Sequence, residues 1–77
     1  MKKLTYTNSR GNTVNAITIS LSEQMNLNFS VCDLTMRLLN AKTADMSEVV
    51  KIENENDFDV QFNMLKKYET ELINIVK

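Results

Sequence analysis

Between Met25 and Leu39 two apolar ladders occupy the same stretch of chain. Met25, Phe29, Cys32, Met36 and Leu39 step by four and three, and Leu27, Val31, Leu34 and Leu38 do likewise. At about 100° per residue these ladders fall on nearly opposite sides of a helix. Asn26, Ser30, Asp33, Arg37 and Asn40 are then confined to one narrow polar strip. Such a helix needs cover around most of its girth, and 77 residues hold little to cover it with, because chains this short bury only about 60% of their unfolded surface.

The same residues admit a second reading. Met25-Asn26-Leu27-Asn28-Phe29-Ser30-Val31 alternates at period two, and its asparagines and serine are weak helix formers. A strand at 25–31, turned through Ser22-Glu23-Gln24, would set Leu21 opposite Met25 and Ile19 opposite Leu27. Against the strand stands Ser20-Leu21-Ser22-Glu23, which has the form of a capping box and predicts a helix over 21–41. From Cys32 to Leu39 both readings give helix, with Asp33 and Arg37 spaced for an exposed ion pair.

Upstream, Leu4-Thr5-Tyr6-Thr7 and Thr13 to Ile19 are rich in strand formers, and Gly11, the only glycine, lies between them where a turn needs positive φ. These features predict a hairpin over 3–20, with strands at 3–8 and 13–20. Ile17, Ile19 and Leu21 alternate with Thr18, Ser20 and Ser22, so the odd-numbered face is the core face. The segment Leu4 to Val14, LTYTNSRGNTV, resembles the opening hairpin of siphophage distal tail proteins. The resemblance covers about eleven residues, implies phage ancestry, and carries over no activity or site residue; the large sandwich of that family has no counterpart in this chain.

Downstream, Asp45-Met46-Ser47-Glu48 offers another cap, and Asp45 to Asp59 holds six carboxylates against Lys51 alone. We read 45–57 as an acidic connection before a helix over 57–76, whose ladder is Phe58, Phe62, Leu65, Leu72 and Val76 and whose cap is Asn56 or Asp57. Glu69 falls on that ladder, as an edge or a specificity position. Val49, Val50 and Ile52 are strand formers and Phe58-Asp59-Val60-Gln61-Phe62 alternates as strands do, which leaves a hairpin over 49–62, turning around Glu53 to Asp57, as the competing arrangement. The fold class is α+β, one small domain of an N-terminal β-hairpin and two amphipathic helices.

Composition narrows the function classes. Histidine is absent, Cys32 is the only cysteine, and no glycine-rich phosphate loop can be built. A disulfide framework, a Cys/His zinc site and a histidine-activated nucleophile are excluded, and no cofactor or metal is expected. On its ladder Cys32 reads as a small core residue. The acidic run matches no EF-hand loop, so the expectation is a protein that is not an enzyme. A net charge of −1 gives no general pull toward nucleic acid or anionic lipid. No apolar run reaches the roughly 18 residues of a membrane span, and the N-terminus turns polar at once. Ten asparagines with no proline are what an AT-rich coding sequence yields, so the expected setting is the cytoplasm of a bacterial host and the expected origin a phage or other mobile element.

Two surfaces emerge as candidates. Asp45, Glu48, Glu53, Glu55, Asp57 and Asp59 form an acidic docking segment for a protein partner, able to imitate phosphates toward a basic host protein, as an accessory protein or inhibitor would. Leu27, Val31, Leu34, Leu38, Phe58, Phe62, Leu65 and Leu72 need more apolar cover than one chain of two helices supplies, which predicts a homodimer. The rival function is a small nucleic-acid-binding regulator that uses the basic hairpin, with Lys2, Lys3 and Arg10 around Tyr6.

Overall fold

In a computed structural model describing residues 1–77, the hairpin comprises β1 (Lys2–Thr7) and β2 (Thr13–Ser20). Asn8 shapes the turn between them: its side-chain oxygen accepts from the amides of Arg10 and Asn12, while Gly11 sits at φ 81°. The third strand, β3 (Asn26–Ser30), returns along β2, giving an antiparallel sheet of order β1-β2-β3. Four helices complete the chain: α1 (Val31–Ala41), α2 (Met46–Asn54), α3 (Phe58–Lys66) and α4 (Glu69–Val76). The architecture is α+β, and no helix is long and apolar enough to cross a membrane.

The helix expected over 21–41 is therefore a strand followed by a helix. Pairing decides it: Ile19 lies opposite Leu27 and Ile17 opposite Phe29, so alternation delivers both β3 apolar residues to the face already carrying Ile17 and Ile19. The capping box at Ser20 goes unused, since Ser20 donates its hydroxyl to Asn26 across the sheet. Ser30 caps instead, its hydroxyl oxygen accepting from the Asp33 amide at 3.0 Å. Arg37 reaches Asp33 at 3.3 Å in the expected i,i+4 pair and also lies 5.0 Å from the centre of the Phe29 ring.

Two further boundaries differ from expectation. The stretch 45–57 is mostly helix and not a connection, because Val49 and Ile52 supply a short apolar edge that enters the core with no exposure at all; this also removes the alternative hairpin over 49–62. The helix expected over 57–76 is broken. At the break the amides of Lys67 and Tyr68 donate to carbonyls three residues back, Met64 and Leu65, and helical bonding resumes with the Leu72 amide donating to Tyr68. Neither glycine nor proline marks the spot.

The core joins Ile17 and Ile19 of the sheet to Leu34 and Leu38 of α1, Val49 and Ile52 of α2, Phe62 and Leu65 of α3, and Leu72 of α4. All four helices contribute to it, and they lie on the odd-numbered face of the sheet. On the other face Leu4, Ala16 and Ser30 are in register, as are Tyr6 with Val14 and Thr18 with Asn28; Ala16 is buried at its centre, and the residues around it are half-buried or exposed. Cys32 is exposed, correcting its reading as a core residue: with α1 starting at Val31, its position turns outward while Leu34, Thr35 and Leu38 turn in.

Candidate functional site

The acid-rich run folds into the two ends of α2 and the start of α3, and most of its carboxylates have work inside the chain. Asp45 is the N-cap of α2, its oxygen accepting from the amides of Ser47 at 2.9 Å and Glu48 at 3.2 Å and from the Ser47 hydroxyl. The Ser47 hydroxyl, with those amides behind it, holds the Asp45 carboxyl below its ordinary range. Asp57 repeats the motif for α3, accepting from Asp59 at 2.9 Å and Val60 at 3.2 Å. A carboxylate at a helix N-terminus satisfies orphan amides and faces the positive end of the dipole. Between these caps the Glu55 amide donates to the Ile52 carbonyl, and the Glu55 carbonyl accepts from the Gln61 side chain.

Two more carboxylates bind distant parts of the chain. Glu48 accepts from the Tyr68 hydroxyl and from Lys67 Nζ at 3.2 Å. The Tyr68 hydroxyl, and after it Lys67, lowers the Glu48 carboxyl, and the same bond pushes the Tyr68 phenol up to about 12. Asp59 pairs with Lys3 Nζ at 2.6 Å, and that ammonium stands 5.2 Å from the centre of the Phe62 ring. Of the six, only Glu53 and Glu55 have side chains without an ion-pair or hydrogen-bond partner within the chain.

These two stand at the α2–α3 corner beside a cleft of about 290 Å³. Its walls bring together Ser30, Val31, Cys32 and Thr35 from the start of α1, Asn15 from β2, Glu53 and Asn56 from the end of α2 and the following turn, and Phe58 and Gln61 from α3. That volume is at the small end of ligand sites, which run from about 300 to 1,000 Å³. The wall chemistry is one carboxylate, one aromatic ring, one thiol, the Val31 side chain, and side-chain amides and hydroxyls. No three carboxylates or thiols converge on a point with metal-binding geometry.

The apolar residues assigned to self-association divide in two. Leu34, Leu38, Phe62, Leu65 and Leu72 are buried within the chain itself, Val31 and Phe58 are half-buried against the same core, and Leu27 is half-buried on β3. The strand at 26–30 lets one chain cover most of this set, so the premise that it requires a second copy falls. Glu69, expected at an edge or specificity position, accepts from the N-terminal ammonium at 2.5 Å. The counterparts of the acidic run, Lys3, Lys67 and Tyr68, escape sequence reasoning. They stand 56, 19 and 20 positions from the carboxylates they bind, in no periodic relation, and no sequence signal marks them.

No family model, curated protein or solved structure matches this chain. The likeness of Leu4–Val14 to a siphophage tail hairpin stays confined to β1, its turn and the start of β2; the rest of the chain is a third strand and four helices.

Proposed function

We propose that this chain is a non-catalytic binding protein that docks the α2–α3 corner against a cationic segment of a protein partner. The observation that carries the reading is the placement of Glu53 in the wall of a cleft that also presents the Phe58 ring. A lysine or arginine entering there would meet a carboxylate, an aromatic surface and amide oxygens together, and attraction of a cation to a ring adds about 0.5–2 kcal/mol as water is excluded. Glu55 and the exposed cap carboxylate of Asp57 extend the negative field around the mouth, steering a basic partner toward it. The asparagine-rich composition and the phage-like hairpin support a mobile-element accessory protein or inhibitor acting on a basic host protein in the bacterial cytoplasm.

The rival nucleic-acid reading is weakened by Lys3, whose ammonium is already paired with Asp59. Lys2 and Arg10 are then the free cations of the hairpin, too few to neutralise more than a couple of phosphates.

The test uses Glu53→Lys and Glu55→Lys together, because neither carboxylate holds the fold. Reversing Asp57 or Asp59 would also remove a cap or an ion pair and confound the result. Immobilised wild-type protein should retain a basic protein from bacterial lysate in a salt-sensitive manner, and the double variant should lose it. Equal retention by both would refute the docking surface.

A further inference from the structure

The sheet has two free edges, and they differ in what they expose. Along β1 the Asn8 amide donates to the Asn12 carbonyl, which fixes the phase of the ladder. In an antiparallel pair, residues whose N–H and C=O face the neighbour alternate with residues whose groups face away. Asn8, Tyr6, Leu4 and Lys2 therefore bond to β2, and Lys3, Thr5 and Thr7 turn their amides and carbonyls to the open side. On β3 the Leu21 amide bonds to the Met25 carbonyl, so only Asn26 and Asn28 face outward before Ser30 turns into α1. α1 sits over β2 and β3, and what ties β1 to a helix is the Lys3 side chain, which reaches Asp59 and the Phe62 ring of α3 on the core face and leaves the edge itself open. The longer, uncovered edge is β1.

We propose that β1 pairs antiparallel with β1 of a second copy of this chain, centred on Thr5, to form a continuous six-stranded sheet. One register matches every outward group: Lys3 opposite Thr7 of the second copy, Thr5 opposite its own equivalent on the two-fold axis, and Thr7 opposite Lys3. The same register sets Leu4 against Tyr6 of the second copy as a non-hydrogen-bonded pair, the closer kind, with Cα atoms about 4.5 Å apart. Both residues are on the open face, where Tyr6 is 47% exposed, and the seam would cover them twice over by symmetry.

Charge selects the same arrangement. Lysines on an edge strand guard against indiscriminate pairing, and a parallel alignment would stack Lys2 and Lys3 on their copies. The antiparallel register sends the two Lys2-Lys3 pairs to opposite ends, Lys2 against Asn8, while Lys3 keeps Asp59. Self-association thus moves from the helices, whose apolar faces serve the chain's own core, to the sheet edge, and it leaves the α2–α3 corner free.

Sedimentation of the full chain from low to high micromolar concentration tests this. Wild type should show a reversible monomer–dimer equilibrium, and Thr5→Lys, which places like charges face to face at the axis, should weaken it by about tenfold or more. Independently, Thr5→Cys in a Cys32→Ser background should crosslink between chains through a short bis-maleimide, because a hydrogen-bonded pair spaces its Cα atoms at about 5.5 Å, within the span of such a reagent. A wild type that stays monomeric throughout overturns the proposal. So does a folded Thr5→Lys variant that dimerises like wild type, or a Thr5→Cys variant that remains uncrosslinked; should Thr5→Lys not fold, the cysteine variant decides.

Discussion

Met25–Ala41 and Phe58–Val76 both carry a helical ladder from end to end, and both are broken, but the breaks are held in different ways. The first falls at Ser30, where strand becomes helix and a side chain caps the new start. The second falls at Lys67 and Tyr68, where α4 starts with no side-chain cap, and its anchors are Glu48 contacts from 19 and 20 positions away. A cap supplied by an adjacent side chain leaves a mark in the sequence, even where the strand before it depends on pairing with β2. A break fixed from across the molecule does not.

The largest effects should come from the ladders themselves. Leu65 and Leu72 flank the second break and are fully buried, so truncating either to alanine should cost about 2–5 kcal/mol in chemical denaturation. Leu27, only half-buried on β3, should cost about half as much or less when cut to alanine. Equal losses at Leu27 and Leu72 would mean that the strand segment is as deeply packed as the helices, contrary to the burial of the two residues.

The two serines give a sharper contrast. Ser30→Ala removes a used N-cap and should cost about 1 kcal/mol; Ser20→Ala removes only an exposed cross-strand bond and should cost roughly half of that or less. If Ser20 proved the more costly, residues 21–30 would be helical in solution. At the other end of α1, Lys42 takes φ 54° to close the helix, its amide donating to the Leu38 carbonyl. Lys42→Gly should stabilise by about 0.5–1 kcal/mol, since glycine enters that region without steric cost.

These contrasts explain which parts of the molecule were readable from sequence. The hairpin and its odd-numbered core face, the helix from Cys32 to Leu39, and the caps at Asp45 and Asp57 all depend on residues within a few positions of one another. The choice between strand and helix at 25–31 depended on whether β2 was there to pair with, and the capping box at Ser20 pointed to helix where pairing with β2 made a strand. In the candidate site, the six carboxylates were visible as a run, but their partners Lys3, Lys67 and Tyr68 were not. Hence a segment that reads as uniformly acidic resolves into caps, internal ion pairs and two free carboxylates at one corner.

The smallest effect concerns the second break and depends on pH. The bond from Tyr68 lowers the Glu48 carboxyl below its ordinary 4.5, so its contribution to stability is complete above that value and is lost as pH falls through the lower folded value. For Tyr68 the sign reverses: raised from 10.0 to about 12, it contributes fully below pH 10 and the contribution is lost as pH rises through about 12. Because both groups meet solvent, screening keeps the effect modest. Tyr68→Phe should flatten the melting temperature against pH at both extremes and abolish a tyrosinate absorbance step near pH 12. The same substitution should leave the Asp33 amide, which Ser30 caps, as protected from exchange as in wild type, because that bond needs nothing from the far helix, whereas Leu34 and Leu38 share one core with Leu65 and Leu72 and report global opening. If the start of α1 loosened together with the α3–α4 joint, the two breaks would form one cooperative unit, and the distinction between a locally held turn and a remotely held one would fail.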